Sequence, residues 1–183
     1  VNQDVIDCLN DCFDQIEKNE KVRSVVITGN GKGFCSGADM SVFGENVTAE
    51  QRKDHLIKYY QPLINRFTSL NKPIIGAING AAAGVGAALA LACDLRVMGE
   101  KSAILYAFIN IGLGPDGGAS WLLARQVGYS KALEIAISGK KIMAIDCLEL
   151  GLTNRVVGDD KVLKEAKNWA HELSKKPTLA IGI

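Results

Sequence analysis

The segment KPIIGAINGAAAGVGAALALACD, residues 72–94, carries more structural information than any other part of this chain. Its apolar run at 73–78 is typical of a buried strand, and the run breaks at an Asn-Gly pair, 79–80. A second break, Gly-Val-Gly at 84–86, precedes a helix that consists almost entirely of Ala and Leu. Because such a helix has no polar face, we expect it to be buried on all sides.

The N-terminus of this helix is therefore predicted to lie inside the protein. The first N–H groups of a helix have no acceptor within the helix, and the helix dipole places partial positive charge beside them. A partner that develops negative charge would suit such donors, and a thioester oxygen during enolisation is one example. The same residues are also typical of a glycine-rich turn before an ordinary core helix. This segment alone therefore does not decide between a binding site for a negatively charged oxygen and a purely structural turn.

A second strand-to-loop unit lies earlier in the chain. The β-branched stretch VRSVVIT, 22–28, is predicted to be a buried strand that ends at a Gly-Asn pair, 29–30. The small-residue loop GKGFCSGADM, 31–40, follows, and a helix is expected after it. Two loops of this kind can present backbone N–H groups to one oxygen from two sides.

Elsewhere the apolar periodicity predicts alternating helices and short strands. Thr48 and Gln51 form a candidate capping box at the start of an amphipathic segment, 48–70. The apolar run at 104–109 is predicted to be a short strand, and a helix is expected over 118–127.

In combination, these units resemble the crotonase (enoyl-CoA hydratase/isomerase) superfamily. FCSGADM, at 34–40, is similar to the family's first oxyanion loop, and 72–94 is similar to its second. The segments GLGPDGGASWLLARQVG, 112–128, and ALEIAISGKKIMAIDCLELGLTNRVV, 132–157, are similar to the blocks that follow. The resemblance implies an α/β crotonase-like fold, a spiral of ββα units with perpendicular sheets surrounded by helices. We expect one such domain over 1–183, lacking the family's first strands and its C-terminal helices.

The resemblance also implies a chemistry, the stabilisation of an acyl-CoA enolate by two backbone N–H groups. Carried over position by position, these donors belong to Ala38 and Val85. Relatives often have glycine at the second position, so the branched side chain of Val85 is expected to narrow the pocket.

The acid/base residue separates the activities within this family. Hydratases use two glutamates, and the corresponding positions here are Ala88 and Phe108. One carboxylate remains, Asp116 in GPDGG, which by itself is more typical of a turn or a helix N-cap than of a catalytic group. Its block is most similar to the ring-epoxide (epoxydihydrophenylacetyl-CoA) isomerase branch, whose members also shift double bonds. The predicted function is an acyl-CoA isomerase with Asp116 as acid/base, in apolar surroundings supplied by Phe108, Leu113 and Trp121.

Substrate contacts follow from the same resemblance. Coenzyme A is expected to be part of the substrate, with no separate cofactor and no metal. The loop after the first strand is expected to pass beside the pantetheine, with Asp39 holding the loop by hydrogen bonds. The residues expected to contact the acyl-CoA are Ser36, Gly37, Ala38, Asp39, Met40, Gly84, Phe108 and Leu113.

Three alternatives remain open at this point. The first is an ordinary enoyl-CoA hydratase. The second is a dehalogenase or hydrolase with Asp116 as nucleophile, which needs a histidine base at a position near Gln61, where this chain has no histidine. The third is an acyl-CoA-binding domain without catalysis. His55 and His171 are the only histidines, and both are expected to be exposed.

Composition restricts the partners. A net charge of +1 favours neither nucleic acid nor an anionic membrane surface as a partner. Five scattered cysteines without a CxxC pair indicate reduced thiols, and hence the cytoplasm or an organelle matrix. By resemblance, the chain is expected to form a homotrimer or hexamer with an acyl-CoA as its small-molecule partner.

Overall fold

A computed structural model of the chain describes residues 1–40, 47–177 and 180. It is a mixed α/β structure. The strands are β1 (Val25–Thr28), β2 (Ile74–Ile78), β3 (Ala81–Ala83), β4 (Leu95–Gly99), β5 (Ala103–Leu105), β6 (Lys141–Met143) and β7 (Arg155–Val157). The α-helices are α1 (Gln3–Lys18), α2 (Ala49–His55), α3 (Gln61–Ser69), α4 (Val85–Ala92), α5 (Ala119–Val127), α6 (Tyr129–Ser138), α7 (Ala144–Glu149) and α8 (Val162–Ser174).

The strands form two sheets. The first has the order β1-β2-β4-β7 and is parallel throughout, and the second has the order β3-β5-β6. Consecutive strands of one unit enter different sheets, since β2 joins the first and β3 the second, and β4 and β5 repeat this division. The ββα unit β2-β3-α4 thus carries the segment 72–94, and the α/β fold expected from the sequence is confirmed.

Helix α4 lies at the centre of the core, as its composition predicts. All eight of its residues are buried, and Ala87, Ala88 and Ala90 have no exposed surface. The larger core cluster surrounds it with side chains from α1, α3 and the strands, including Phe13 and Phe67. Its N-terminus is therefore enclosed by protein on most sides.

The π-helical turn Leu56–Tyr60 joins α2 and α3 into one continuous helical segment. The capping box at its start is confirmed, because the Thr48 hydroxyl accepts from the Gln51 N–H and the Gln51 side chain accepts from the Thr48 N–H. The amphipathic periodicity did not predict the π turn, which widens the helix by one residue per turn at this point.

Two features of the second sheet differ from expectation. β3 and β6 are three-residue strands that the sequence pattern missed, because three residues are too few to show a period. The predicted strand at 104–109 is wrong in its second half, since β5 ends at Leu105 and Ala107–Ile111 forms a 3-10 turn. Tyr106 at the junction is fully buried, and its hydroxyl donates to the Ala119 carbonyl across 3.0 Å. The helix expected after 31–40 would begin outside the described residues.

Within the described ranges, no helix is both long and apolar enough to cross a membrane. The same part of the chain contains no group of three or more His, Cys, Asp or Glu side chains arranged to hold a metal ion.

Candidate active site

Two small-residue loops lie against each other at the N-terminus of α4. The Ala83 N–H donates to the Cys35 carbonyl across 2.9 Å, and this bond ties the first loop to the end of β3. Gly37 has φ of 109°, and a Cβ at this position would lie 3.0 Å from the Ala83 carbonyl oxygen. Only glycine combines this conformation with so close an approach of two backbones.

Among the described residues, each loop presents at least one N–H group without an acceptor. Val85 is the first residue of α4, so its N–H has no acceptor within the helix. In the part of the chain that the structure describes, neither the Val85 N–H nor the Ala38 N–H donates a hydrogen bond. The intervening Gly84 N–H is engaged, since it donates to the Leu105 carbonyl across 2.9 Å.

Ala38 and Val85 line one cavity of about 240 Å³, which we call the first cavity. Asp116 and Phe108 also lie in its wall. The helix dipole of α4 adds partial positive charge at the Val85 end. The arrangement therefore offers two backbone donors and one carboxylate to a ligand oxygen and its neighbouring atoms.

Asp116 lies in the turn before α5. Burial raises the pKa of its carboxyl, and a hydrogen bond from its own N–H opposes part of that shift. The interpretation of this residue as the helix N-cap is wrong, because Gly118 occupies that position and makes no side-chain cap. The Asp116 carbonyl, by contrast, accepts from the Ala119 N–H across 2.8 Å and closes the turn.

The turn also brings Asp116 close to the oxyanion loops. A Cβ at the following residue, Gly117, would lie 3.1 Å from Cγ2 of Val85. Burial raises the pKa of Tyr60, and the negative charge of Asp116 raises it further, to about 12. Asp116 is thus held beside Val85 on one side and near the buried Tyr60 on another.

Most of the predicted contact residues share the first cavity. Asp39 is the exception, because it lines an adjacent surface depression while its N–H donates to the Val1 carbonyl across 3.0 Å. The predicted residues that line the first cavity are Ser36, Gly37, Ala38, Met40, Gly84, Val85, Phe108, Leu113 and Asp116.

Sequence reasoning missed four residues of the first cavity: Arg52, Leu56, Ala107 and Ile111. Arg52 and Leu56 belong to the helical segment over the site, which was interpreted only as amphipathic. Its period predicts that one face is buried, but periodicity does not indicate which loop this face meets.

A second cavity of about 470 Å³ lies on the other side of Asp116. Leu56 and Asp116 line both cavities, and Trp121, expected near Asp116, lines the second. Gln61 also lies in its wall, near the position where the sequence resemblance predicts the base of a hydrolytic relative. A neutral amide can form hydrogen bonds but cannot accept a proton at ordinary pH.

The histidines lie elsewhere. The ring of His55 packs against Tyr59 and Tyr60, with centroids 4.7 and 5.5 Å apart, and the residue is half-buried where full exposure was expected. His171 is exposed on α8, as expected. Neither histidine is among the described residues that line the two cavities.

Comparison with known proteins identifies relatives that align with most of this chain. A family model described as enoyl-CoA hydratase/isomerase matches residues 1–182. The chain is 35% identical to the 1,2-epoxyphenylacetyl-CoA isomerase of Escherichia coli (strain K12) over 177 aligned residues. The alignment covers 96% of this chain and 68% of that protein. It is 37% identical over 165 residues to a probable enoyl-CoA hydratase of Rhodobacter capsulatus, with coverages of 88% and 62%.

A 4-chlorobenzoyl coenzyme A dehalogenase of an Arthrobacter species is 31% identical over 171 residues, which are 92% of this chain and 62% of that protein. Among solved structures, a probable enoyl-CoA hydratase/isomerase from Mycobacterium abscessus superposes with a TM-score of 0.88 at 33% identity, covering all of this chain and 69% of that one. The chain thus spans 62% to 68% of the length of these three sequence relatives, whose names describe different reactions.

Proposed function

Since the chain belongs to the enoyl-CoA hydratase/isomerase family of the crotonase superfamily, we propose that it is an acyl-CoA isomerase. It shifts a double bond, or rearranges a ring epoxide, in a CoA thioester through a stabilised enolate. The observation that carries the proposal is the first cavity, where, among the described residues, the N–H groups of Ala38 and Val85 have no acceptor and Asp116 contributes the only carboxylate.

The two N–H groups are the oxyanion hole of this proposal. The thioester oxygen accepts from Ala38 and Val85, and both bonds strengthen as the enolate forms. Removing one donor of this type typically costs about 3–4 kcal/mol of transition-state stabilisation. The buried N-terminus of α4 adds its dipole in the same direction.

Asp116 performs both proton transfers. The ionised carboxylate takes a proton from C2 of a 3-enoyl thioester, the double bond moves to C2–C3, and the same group returns the proton at C4. One carboxyl suffices because the proton that leaves is the proton that returns. Burial raises the pKa of Asp116, which makes the protonated form a more available acid in the second step.

Hydration needs a second acid/base group, and the residues at the two glutamate positions argue against it. Phe108 lines the first cavity with an apolar ring, and Ala88 is fully buried in α4. Among the described residues that line this cavity, Asp116 is the only carboxylate. Hydrolysis or dehalogenation is disfavoured by Gln61, which cannot serve as the base for attack by water.

A paired turnover assay tests the proposal. The protein is incubated with 3-hexenoyl-CoA and, separately, with 2-hexenoyl-CoA, and the products are identified by mass and NMR. Conversion of the 3-enoyl to the 2-enoyl thioester without a gain of water is expected. A hydrated product from the 2-enoyl thioester would overturn the isomerase proposal, and binding without turnover of either would support a non-catalytic acyl-CoA-binding domain.

We also propose that the chain self-associates, as a homotrimer or a hexamer. Helix α6 exposes an apolar stripe of Tyr129, Leu133 and Ile137, which are 78%, 45% and 62% exposed. Ile145 on α7 adds to the exposed apolar surface, at 57%. Exposed apolar patches of this kind mark protein interfaces. Sedimentation velocity on the wild type and on Leu133→Lys/Ile137→Lys tests the proposal, and equal masses for the two proteins would contradict it.

The five cysteines support a reducing compartment, the cytoplasm or an organelle matrix. Each is a free thiol in the structure, and Cys8 and Cys12 are exposed on α1. Thiol quantification on protein purified without reductant is expected to find five reactive groups after denaturation.

A further inference from the structure

The second cavity adjoins the first at Asp116, the proposed acid/base residue. The proposed function requires Asp116 to reach C2 of a thioester whose oxygen accepts from the Ala38 and Val85 N–H groups. Asp116 and Leu56 line both cavities, so the two spaces meet at the carboxylate. Under the proposed function, the second cavity is therefore the space next to C4 into which a longer acyl chain would extend.

One part of the second cavity is apolar. Ile64 is buried in its wall, while Trp121 and Ile57 are 53% and 52% exposed. The indole of Trp121 also lies under the guanidinium of Arg125, at 4.4 Å from the ring centroid to Cζ. Large apolar side chains exposed around a cavity bind hydrocarbon by removing both surfaces from water.

Another part is polar. Gln61 and Asn65 are one turn apart on α3 and contribute two side-chain amides to the wall. In the described part of the chain, neither amide makes a hydrogen bond. Thr68 lies one turn further along α3. Unlike the two amides, its hydroxyl already donates hydrogen bonds, to the Ile64 and Asn65 carbonyls at 3.3 Å each. The amides therefore keep their donors and acceptors available to a ligand.

We propose that the second cavity holds the distal part of the acyl group and that Gln61 determines specificity there. Its amide hydrogen-bonds an oxygen on that distal part, while Trp121 covers the adjacent carbons. The substrate class is then CoA thioesters whose acyl group carries a hydroxyl, carbonyl or ring oxygen beyond C4, in preference to plain hydrocarbon acyl groups. This inference rests on the proposed function, because it uses the thioester position that the isomerase proposal assigns.

The test compares two pairs of thioesters that differ by one hydroxyl. The reactive pair is 3-hexenoyl-CoA and 6-hydroxy-3-hexenoyl-CoA, assayed for kcat/KM. The unreactive pair is hexanoyl-CoA and 6-hydroxyhexanoyl-CoA, assayed for Kd by calorimetry. The proteins are the wild type, Gln61→Leu, Trp121→Ala and the matched surface control Gln15→Leu, whose side chain is exposed on α1.

The wild type is expected to prefer the hydroxylated member of each pair by about threefold to tenfold, the range of one net neutral hydrogen bond. Gln61→Leu is expected to remove this preference. Trp121→Ala is expected to lower kcat/KM and raise Kd by the same factor for both members of each pair. Gln15→Leu is expected to behave as the wild type.

An unchanged preference in Gln61→Leu, or no preference in the wild type, overturns the inference. The calorimetric pair separates this outcome from failure of the proposed function. If neither reactive thioester turns over, the isomerase proposal fails, whereas a Gln61-dependent difference in Kd still supports the role of the second cavity.

Discussion

Gly86 lies so close to Cys35 that a Cβ on Gly86 would be 2.4 Å from the Cys35 carbonyl oxygen. The contact joins the first turn of α4 to the loop that carries Ala38, although the two glycine-rich segments are about fifty residues apart in sequence. Because the obstacle is backbone, a side chain at this position cannot be accommodated by a rotamer change. The distance between the two proposed N–H donors therefore depends on the absence of one methyl group.

Gly86→Ala is expected to separate the two loops and to lower the isomerase kcat/KM by at least tenfold. Overpacking of this kind also costs about 1–3 kcal/mol of unfolding free energy. Gly33→Ala is the control, because its Cβ would meet nothing closer than 3.8 Å. Urea unfolding and steady-state kinetics on both variants measure the effects, and wild-type kinetics in Gly86→Ala would contradict the proposed arrangement.

Asp116→Asn is expected to lower isomerase turnover by at least a hundredfold, since an amide can neither remove nor return the proton. Thioester binding is expected to persist, because the two N–H donors remain. The surface variant Asp160→Asn serves as the control and keeps its full rate. Single-turnover rates together with Kd values for hexanoyl-CoA separate chemistry from binding, and substantial turnover in Asp116→Asn would rule out its role as the acid/base.

The pH dependence of kcat/KM follows from the same carboxyl. Burial raises the pKa of Asp116, and the first step needs the ionised form. Activity is therefore expected to fall as the pH drops through this raised pKa, at a higher pH than an ordinary aspartate would give. A rate profile from pH 4 to 9 tests this expectation, and a fall centred at or below the ordinary aspartate pKa would contradict it.

Asp116→Asn is expected to be more thermostable than the wild type at pH 7. A raised pKa in the folded state means that the ionised carboxylate opposes folding above that pKa. The difference in Tm is expected to shrink as the pH falls through the folded-state pKa towards the unfolded one, because the wild-type carboxyl becomes neutral too. Calorimetric scans at several pH values measure it, and a variant less stable than the wild type at pH 7 would contradict the sign.

Arg96→Met is expected to destabilise the fold by about 3 kcal/mol or more. The side chain of Arg96 is buried, donates to the Leu152 and Cys93 carbonyls at 2.6 and 2.5 Å, and reaches the Gln126 side chain at 2.9 Å. Each acceptor left unpaired in the interior costs about 1–3 kcal/mol. The positive charge also lies at the C-terminal end of α4, where the helix dipole favours it.

Arg23→Met is the matched control for that prediction. Arg23 is exposed and donates one hydrogen bond to a backbone carbonyl, so its loss is expected to change the unfolding free energy by less than about 1 kcal/mol. If both substitutions lowered the unfolding free energy by the same amount, the buried hydrogen bonds of Arg96 would not be stabilising the fold.

Several elements were predictable from local sequence because their causes are local. The burial of α4 follows from its lack of polar side chains, and the cap at Thr48 follows from residue spacing. The candidate roles of Ala38, Val85 and Asp116 came from family resemblance, not from periodicity. The structure brings the three to one cavity, and their catalytic roles stay predictions.

The missed elements have non-local causes. Strand β3 is three alanines, and it is a strand because its backbone pairs with β5, not because alanine favours strands. The π turn at Leu56–Tyr60 and the second cavity likewise have no sequence period. Gln61 was considered only as the position of a missing base, and its place in a cavity wall emerged from packing.

By itself, the sequence determined most of the longer secondary-structure units, the buried helix at the centre and the presence of two glycine-rich loops. Composition and spacing act within a few residues, and these features need no more than that. Only the tertiary structure decided that the two loops meet, that Asp116 faces both cavities and that Gln61 lies beyond it. Such distances arise from contacts between segments far apart in the chain, where close packing selects among many arrangements that local preferences allow equally.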